Sequence, residues 1–291
     1  AVKVLFQQLD QEDRGFQRFH REAQAISALM HPHIVKVYDF GVSTQGRPYM
    51  VMDYVEGQNL RDILKTKSWL PQDRAINIFS QIVDALGHMH DSGFLHRDIK
   101  PDNIIVHDTT FQKDFATLVD FGIAKSTLVD AKHRQLTRTG FILGTPQYMS
   151  PEQVLSEPLD ARSDIYSLGL IVYELLTGCL PFQGETIQAQ MVNRIAEPPI
   201  PLREARPGLG IPPAVEMVVM GKPAQLVAGR FAGNLEQVHA QAGGIEPDGL
   251  LDRLATDDGI AHATEAAAAA TPVLHVLVHN AGVLLHGGVA D

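Results

Sequence analysis

The chain has 291 residues, enough for one large or two ordinary domains, and its composition is that of a globular protein with a real core. Its formal net charge of -10 argues against a basic nucleic-acid-binding surface, so we expect no nucleic-acid partner. The single cysteine, Cys179, excludes an intrachain disulfide, which suits a reducing compartment.

The first part of the chain, to about residue 60, is predicted to form a strand, a helix and two further strands. "AVKVLF" alternates along an extended strand, which places Lys3 on a largely apolar face. "GFQRFHREAQAISALM" has apolar residues at helical spacing, and Glu22 lies close to that apolar side. Each of these charges needs a partner, because burying an unpaired charge costs several kcal/mol. The runs "IVKVYDFG" and "RPYMVMDYV" predict an antiparallel pair of strands.

From about Asn59 onward the pattern is mainly helical. "LPQDRAINIFSQIVDALGHMHDSG" predicts a helix with Pro71 at its start and Gly93 just past its end. Short strands are predicted in "FLHRD", "NIIVH" and "ATLVDFG". The apolar run from Ile165 to Thr177 predicts a buried helix at the centre of a helical lobe, with Gly178 as its stop.

Three short strings, "HRDIKPDN", "DFG" and "SPE", follow one another in this order. The first two supply Asp98, Lys100, Asn103 and Asp120 at the ends of predicted strands. Two acids, an amide and a lysine are what phosphoryl transfer needs: a group to orient the acceptor hydroxyl, oxygen ligands for Mg²⁺ and a positive charge for the transferred phosphoryl. Each residue alone would be read as a turn, cap or surface residue, and their joint order makes coincidence improbable.

On these motifs the sequence resembles the eukaryotic-like Ser/Thr protein kinases, most closely the bacterial Hanks-type branch. The resemblance covers residues 1 to about 240 and implies an α+β, two-lobed protein-kinase-like fold. It implies a phosphotransferase of bacterial signalling, which moves the γ-phosphate of ATP to Ser or Thr of protein substrates. The implied division is a partial small lobe at residues 1–56, a helical lobe at 57–240 and an Ala/Gly-rich tail at 241–291.

The resemblance also assigns roles to the motif residues. It implies that Asp98 is the catalytic base, that Lys100 stabilises the γ-phosphate, and that Asn103 and Asp120 bind Mg²⁺ or Mn²⁺. The lysine of "AVK", Lys3, would hold the α- and β-phosphates of ATP.

The lysine would in turn pair with Glu22 of the first helix. This assignment answers the need for partners noted above, because each of the two charges would neutralise the other. The implied ATP-binding residues are Ala1, Lys3, Met52, Asp53, Val55, Asn103, Ile105 and Asp120. Met52 would be the gatekeeper, and the backbone of Asp53 and Val55 would face adenine.

Further positions follow from the same resemblance. Stacked side chains that align the lobes are implied at Ile26, Val37, His96 and Phe121. Contacts that brace the catalytic loop and the segment after it are implied for Thr145, for Glu152 with Arg230, and for Asp164.

Phosphorylation of the polar stretch after "DFG" is a hypothesis that concerns Arg97, the residue before the implied base. Thr137 and Thr139 of "LTRTG" are the candidate sites of autophosphorylation, with self-association as its route. A phosphothreonine would give Arg97 a charge-assisted partner and order the loop.

The pattern of the family is interrupted at both ends of the chain. No Gly-rich strand-turn-strand precedes Ala1, so we expect a truncated domain lacking two strands, with weak ATP binding. A catalytically silent kinase-like binding fragment is the alternative. An NAD(P)-linked protein is a third interpretation, supported only by the tail string "VLHVLVHNAGVLLHGG", which resembles short-chain dehydrogenases. No signal peptide is visible, and we expect a cytoplasmic chain whose full-length parent could carry a membrane anchor.

Overall fold

The computed structural model describes residues 1–5, 14–122 and 146–210, together with Val219. The strands are β1 (Val2–Val4), β2 (Val37–Val42), β3 (Pro48–Met52), β4 (Gln58–Asn59), β5 (Ile104–His107) and β6 (Phe115–Leu118). The α-helices of the described ranges are α1 (Arg14–Ser27), α2 (Leu60–Lys67), α3 (Gln72–Asp91), α4 (Pro151–Leu155), α5 (Ala161–Thr177), α6 (Ile187–Ala196) and α7 (Leu202–Ala205). Short 3₁₀ turns occupy Pro101–Asn103 and Pro146–Tyr148.

The chain divides into two compact units. One consists of Ala1–Ser68 with Asp84–Leu168, and the other of Trp69–Val83 with the chain from Gly169 onward. The predicted domain limits at residues 56 and 240 stay predictions, and the tail at 241–291 lies outside the described residues.

The first sheet of the first unit has the strand order β1-β3-β2. Both neighbours of β3 run antiparallel to it, and Lys3 of β1 lies opposite Met50. The predicted antiparallel pairing of the second and third strands is confirmed, with an irregularity between Val37 and Asp39. Helix α1 packs on this sheet through its apolar stripe, since Phe19 and Ile26 are both buried.

A second antiparallel sheet of the same unit has the order β4-β5-β6. The strands predicted in "NIIVH" and "ATLVDFG" are confirmed as β5 and β6, and Ile105 pairs with Thr117. The strand predicted in "FLHRD" is wrong, because that segment forms no ladder. Arg97 within it has a left-handed backbone with φ of 63°, which is incompatible with a continuous strand.

The second unit contains the larger part of the apolar helix α5. The predicted helix from Ile165 to Thr177 is confirmed, although it begins four residues earlier at Ala161. Gly178 follows it with φ of 84°, a left-handed conformation that glycine adopts without strain. Within this unit Tyr173 donates to the carbonyl of Ile200 at 2.8 Å. No helix of the described residues has the length and apolarity that crossing a lipid bilayer requires.

Candidate active site

The loop between α3 and β5 gathers three of the predicted catalytic side chains. Nζ of Lys100 lies 3.0 Å from Oδ2 of Asp98, and Nδ2 of Asn103 donates to the same oxygen at 3.1 Å. The Asp98 and Lys100 side chains are only 13% and 18% exposed, so this charge pair is poorly screened by water. The loop therefore holds an acid, a cation and an amide in mutual contact.

The orientation of the Asn103 amide is determined by its surroundings. Its nitrogen faces three oxygens, since it also donates to the backbone carbonyls of Asp98 at 2.8 Å and Asp120 at 3.2 Å. An amide group that faces three acceptors must present its NH₂ to them, which directs Oδ1 of Asn103 the other way. That oxygen and the carboxylate of Asp120 are the hard oxygen ligands that Mg²⁺ prefers.

The donor set fits a cation that also binds substrate phosphates. Within residues 1–5, 14–122 and 146–210, no cluster of three or more Asp, Glu, His or Cys side chains could hold a metal alone. Mg²⁺ is commonly bound by one or two carboxylates together with phosphates and water, and this site offers one carboxylate and one amide oxygen from the protein.

Asp120 follows β6 in a left-handed backbone conformation, with φ of 69°. A Cβ at Gly122, two residues on, would lie 2.8 Å from the carbonyl oxygen of His96, so only glycine fits there. This close approach brings the "DFG" segment against the loop between α3 and β5, which is the catalytic loop of the prediction. The backbone explains why the string has a glycine at its third position.

The ion pairs on the β1 side of the site differ from the predicted one. Lys3 donates to the carboxylate of Asp120, and Glu22 accepts from the Arg97 guanidinium at 3.0 Å. The predicted pair of Lys3 with Glu22 is therefore not the one in the structure. Two acids and two cations can neutralise one another in either combination, and the sequence pattern does not select between them.

The backbone of the "HRD" string is held by a buried acid. Asp164 accepts from the backbone N–H groups of His96 and Arg97, each at 2.8 Å, which confirms the predicted brace. His90 of α3 lies 3.0 Å from the same carboxylate through Nε2, and the His90 and Asp164 side chains are 5% and 2% exposed. Sequence reasoning missed His90, and no spacing signal identified it.

A second polar contact holds the carbonyl side of the same string. Nε2 of Gln153 donates to the carbonyl of Arg97 at 2.9 Å. Gln153 also forms a capping box with Ser150, which fixes the start of α4. Glu152 accepts a hydrogen bond from Ser163, while its predicted partner Arg230 lies outside the described residues.

The predicted adenine-binding residues lie around the end of β3. Ala1 exchanges two backbone hydrogen bonds with Met52, of 2.5 and 2.9 Å. The N–H of Asp53 donates to the carbonyl of Lys36 at 3.0 Å, so this N–H is already bonded within the chain. Tyr38 donates to the Asp53 carboxylate at 2.7 Å, which raises the pKa of that phenol.

A cleft of about 390 Å³ borders this segment. Its lining includes Asp53 and Val55 together with Lys36 and Thr117, whereas Lys3 and Asp120 are not part of it. The cleft therefore touches the segment predicted to bind adenine without reaching the charges predicted to bind phosphate.

The four side chains predicted to stack between the lobes are all buried: Ile26, Val37, His96 and Phe121. Two of them are in ring contact, since the centroids of His96 and Phe121 are 5.7 Å apart. Thr137, Thr139 and Thr145 lie outside the described residues.

Sequence reasoning also missed Arg61 in the first turn of α2. Its Nη2 donates to the Tyr148 hydroxyl at 2.6 Å, and its Nε lies 3.5 Å from Oδ2 of Asp102. Asp102 belongs to the "KPDN" turn of the catalytic loop. Arg61 thus connects that loop to the turn that precedes "SPE".

The chain is similar to known protein kinases in three comparisons. The family model described as "Protein kinase domain" matches residues 1–207. The chain is 42% identical over 220 residues to serine/threonine-protein kinase pkn3 of Myxococcus xanthus, covering 76% of this chain and 40% of that protein. It is 42% identical over 214 residues to serine/threonine-protein kinase PknB of Mycobacterium leprae, covering 72% of this chain and 33% of that protein. The chain thus spans less than half the length of these two relatives.

A solved structure gives the same result at the level of the fold. The crystal structure of Rad53 1–466 in complex with AMP-PNP matches with a TM-score of 0.58 and 26% identity, over 76% of this chain and 52% of that chain.

Proposed function

The chain belongs to the protein kinase domain family, and from this premise we propose that it transfers the γ-phosphate of ATP to Ser or Thr hydroxyls of protein substrates. The observation that carries the proposal is the contact of Asp98, Lys100 and Asn103 within one loop. Phosphoryl transfer depends mainly on positioning and charge stabilisation, and these three groups can supply both.

Asp98 is proposed to accept the proton of the substrate hydroxyl as it attacks. Its Oδ2 is held by Lys100 and Asn103, so the carboxylate is oriented before substrate binds. Lys100, 3.0 Å from that oxygen, would then neutralise negative charge on the transferred phosphoryl group.

Asn103 and Asp120 are proposed to hold Mg²⁺ or Mn²⁺. The outward direction of the Asn103 amide oxygen supports this role, as does the carbonyl contact that ties Asn103 to Asp120. The cation would supply charge neutralisation for the phosphates of ATP. Lys3 is proposed to bind the α- and β-phosphates, with the adenine against Ala1, Met52, Asp53, Val55 and Ile105.

Control of the site is proposed to act through Arg97. This residue now holds Glu22 at 3.0 Å, and a phosphate on Thr137 or Thr139 would offer it a more highly charged partner. Once released, Glu22 would be available to pair with Lys3, and Lys3 would leave Asp120 to the cation. Autophosphorylation between two self-associated chains would be one route to that state.

The test is phosphate incorporation into the chain and into casein with Mg²⁺ and radiolabelled ATP. Asp98→Asn should lower the rate by about 10²–10⁴-fold, the usual contribution of a general base. The matched control, Asp91→Asn, removes an exposed acid from the end of α3 and should keep the rate of the unchanged chain.

Equal rates for the unchanged chain and Asp98→Asn would contradict the proposal. Tandem mass spectrometry of the digested chain should locate the added phosphate on Thr137 or Thr139. Full activity of a Thr137→Ala/Thr139→Ala variant would instead contradict only the regulatory part.

A further inference from the structure

The loop that joins α1 to β2 carries two histidines that meet a third on α3. The ring of His31 stacks on that of His88 with centroids 5.4 Å apart, and it lies 5.6 Å from the ring of His33. Nε2 of His31 is 3.1 Å from Oδ2 of Asp84, and the His31 side chain is only 11% exposed. Three imidazoles and one carboxylate therefore share a small volume outside the proposed nucleotide site.

The two ring nitrogens of His31 have opposite roles in hydrogen bonding. The backbone N–H of His33 donates to Nδ1 of His31 at 3.2 Å, so Nδ1 must carry a lone pair. The Asp84 carboxylate accepts, so Nε2 must carry the proton.

His33 is also held in its neutral form. One ring nitrogen, Nδ1, donates to the carbonyl of Ala116 at 2.8 Å, and the ring packs on Phe115 with centroids 4.6 Å apart. Burial lowers the pKa of His33, and the neighbouring His31 lowers it further, whereas the Ala116 bond and Asp84 oppose the shift.

The loop between α1 and β2 is attached to β6 by backbone hydrogen bonds. The carbonyl of His33 accepts from the N–H of Leu118 at 2.8 Å, and the N–H of Val35 donates to the carbonyl of Leu118 at 3.0 Å. The loop therefore lies between the helix that carries Glu22 and the strand that leads to Asp120. Loosening it would free the end of α1.

We propose that His31, His33, His88 and Asp84 form a proton-sensitive latch, which holds this loop on α3 and β6 while His33 is neutral and releases it as His33 takes up a proton. The hydrogen bond of His31 to Asp84 and its stacking on His88 are the side-chain contacts that hold the loop on α3.

The charged neighbours that shift the pKa of His33 are His31 and Asp84. The groups that face the latch from α3 are Asp84 and His88, and β6 has no ionisable residue, contributing a ring and a carbonyl. His107 of β5 lies beyond the Phe115 ring, 5.3 Å from it.

The sign of the pH effect follows from the lowered pKa of His33. In the closed state His33 binds fewer protons than it does when released, so protons favour release. The latch is fully held above the ordinary histidine pKa of about 6.5 and loses its hold as pH falls below that value.

Hydrogen exchange of the full chain at about pH 7.5 and about pH 5.5 tests the latch, with rates corrected for the intrinsic pH dependence of exchange. Amides of α1 and of the loop should open several-fold more at the lower pH, because a proton taken up on release favours the open state. Amides of the β2–β3 pair serve as the internal reference and should change much less. No nucleotide or turnover is needed, so the result does not depend on the proposed function.

Two variants each remove one imidazole and keep one of its hydrogen bonds. His33→Asn retains a donor for Ala116 and should lose most of the pH response, because it removes the ring whose pKa is lowered. His31→Asn retains an acceptor for the His33 N–H but gives up the bond to Asp84, and it should lose part of the response. His20→Gln, which removes an exposed histidine of α1 outside the latch, should keep it.

The proposal is overturned if the unchanged chain opens equally at both pH values, or if all amides respond alike. It is equally overturned if both asparagine variants retain the full response. Should one variant fail to fold, the unchanged chain and the other variant still decide the question.

Discussion

The catalytic loop and the charges on the β1 and α1 side of the site are held in different ways. In the loop, Asp164 binds two backbone N–H groups, and Asp98 is bound by residues two and five positions away. On the other side, the structure shows Lys3 bound to the side chain of Asp120 and Glu22 bound to the side chain of Arg97, both from distant parts of the sequence. Backbone donors are fixed by the fold, whereas partners in a side-chain ion pair can exchange. Folding therefore fixes the contacts of the catalytic loop, whereas a change of state can alter the ion pairs of Lys3 and Glu22.

The largest expected effect is on the backbone-bound side. The Asp164 side chain is 2% exposed and accepts hydrogen bonds from two backbone N–H groups and from His90. Asp164→Ala leaves these donors without their acceptor and should lower the free energy of unfolding by about 3–5 kcal/mol. Chemical denaturation measures this change. The control Arg162→Ala removes the partner of Asp160 in an exposed ion pair and keeps the backbone N–H that Asp160 accepts at the start of α5, so it should cost less than about 1 kcal/mol. Similar losses for both variants would remove the distinction between the two sides.

A smaller effect is expected at the start of α4, the helix that carries the Gln153 side chain bonded to the Arg97 carbonyl. Ser150→Ala breaks the capping box that fixes α4 and Gln153, and should cost about 1 kcal/mol of unfolding free energy. Thermal denaturation detects this loss. Ser27→Ala, at the end of α1 where the hydroxyl bonds only the Gln24 carbonyl, is the comparison variant and should be nearly neutral. Equal melting temperatures for the two variants would contradict a structural role of the cap.

The exchangeable pairs should show weak but specific coupling. A double-mutant cycle of Glu22→Gln with Arg97→Gln should give a coupling of about 0.5–1 kcal/mol, because the pair is partly exposed and screened. The parallel cycle of Glu22→Gln with Lys3→Met should give almost none in the nucleotide-free chain. Strong coupling of Lys3 with Glu22 would show that the predicted pair, and not the present one, dominates in solution.

The smallest effect concerns the exposed pair of Asp160 and Arg162. Hydrogen bonds from Arg162 lower the pKa of Asp160, so its contribution to stability is present above the ordinary value of 3.8 and is lost as pH falls through the lower folded value. An NMR titration of the Asp160 carboxyl should have its midpoint below 3.8, and Arg162→Gln should return it towards that value. An unchanged midpoint in the variant would contradict the bond.

The sequence predicted a helix or strand correctly where the pattern of apolar residues is compatible with only one type of secondary structure. The apolar spacing of α3 and α5 and the two antiparallel strands β2 and β3 are examples. The strand predicted in "FLHRD" failed because a positive φ at Arg97 and a buried acid 67 positions away replace the ladder. Neither is visible in a window of neighbouring residues.

The site was predicted to a similar extent. Residues within one loop, such as Asp98 and Asn103, meet as expected because their spacing in sequence is short. The partner of Lys3 was not predictable, because it depends on which of two acids lies nearer in three dimensions. His90 and Arg61 were missed for the same reason: their partners are distant in sequence and their own positions look ordinary.

The left-handed backbones of Arg97 and Asp120 have a consequence for attempts to engineer this chain. Each costs a non-glycine residue about 1–2 kcal/mol relative to glycine. A screen that selects only for heat resistance would therefore favour glycine at both positions and remove a guanidinium and a carboxylate that the proposed reaction needs. At these two positions thermal stability and catalytic activity make opposite demands, and a useful selection would have to measure both.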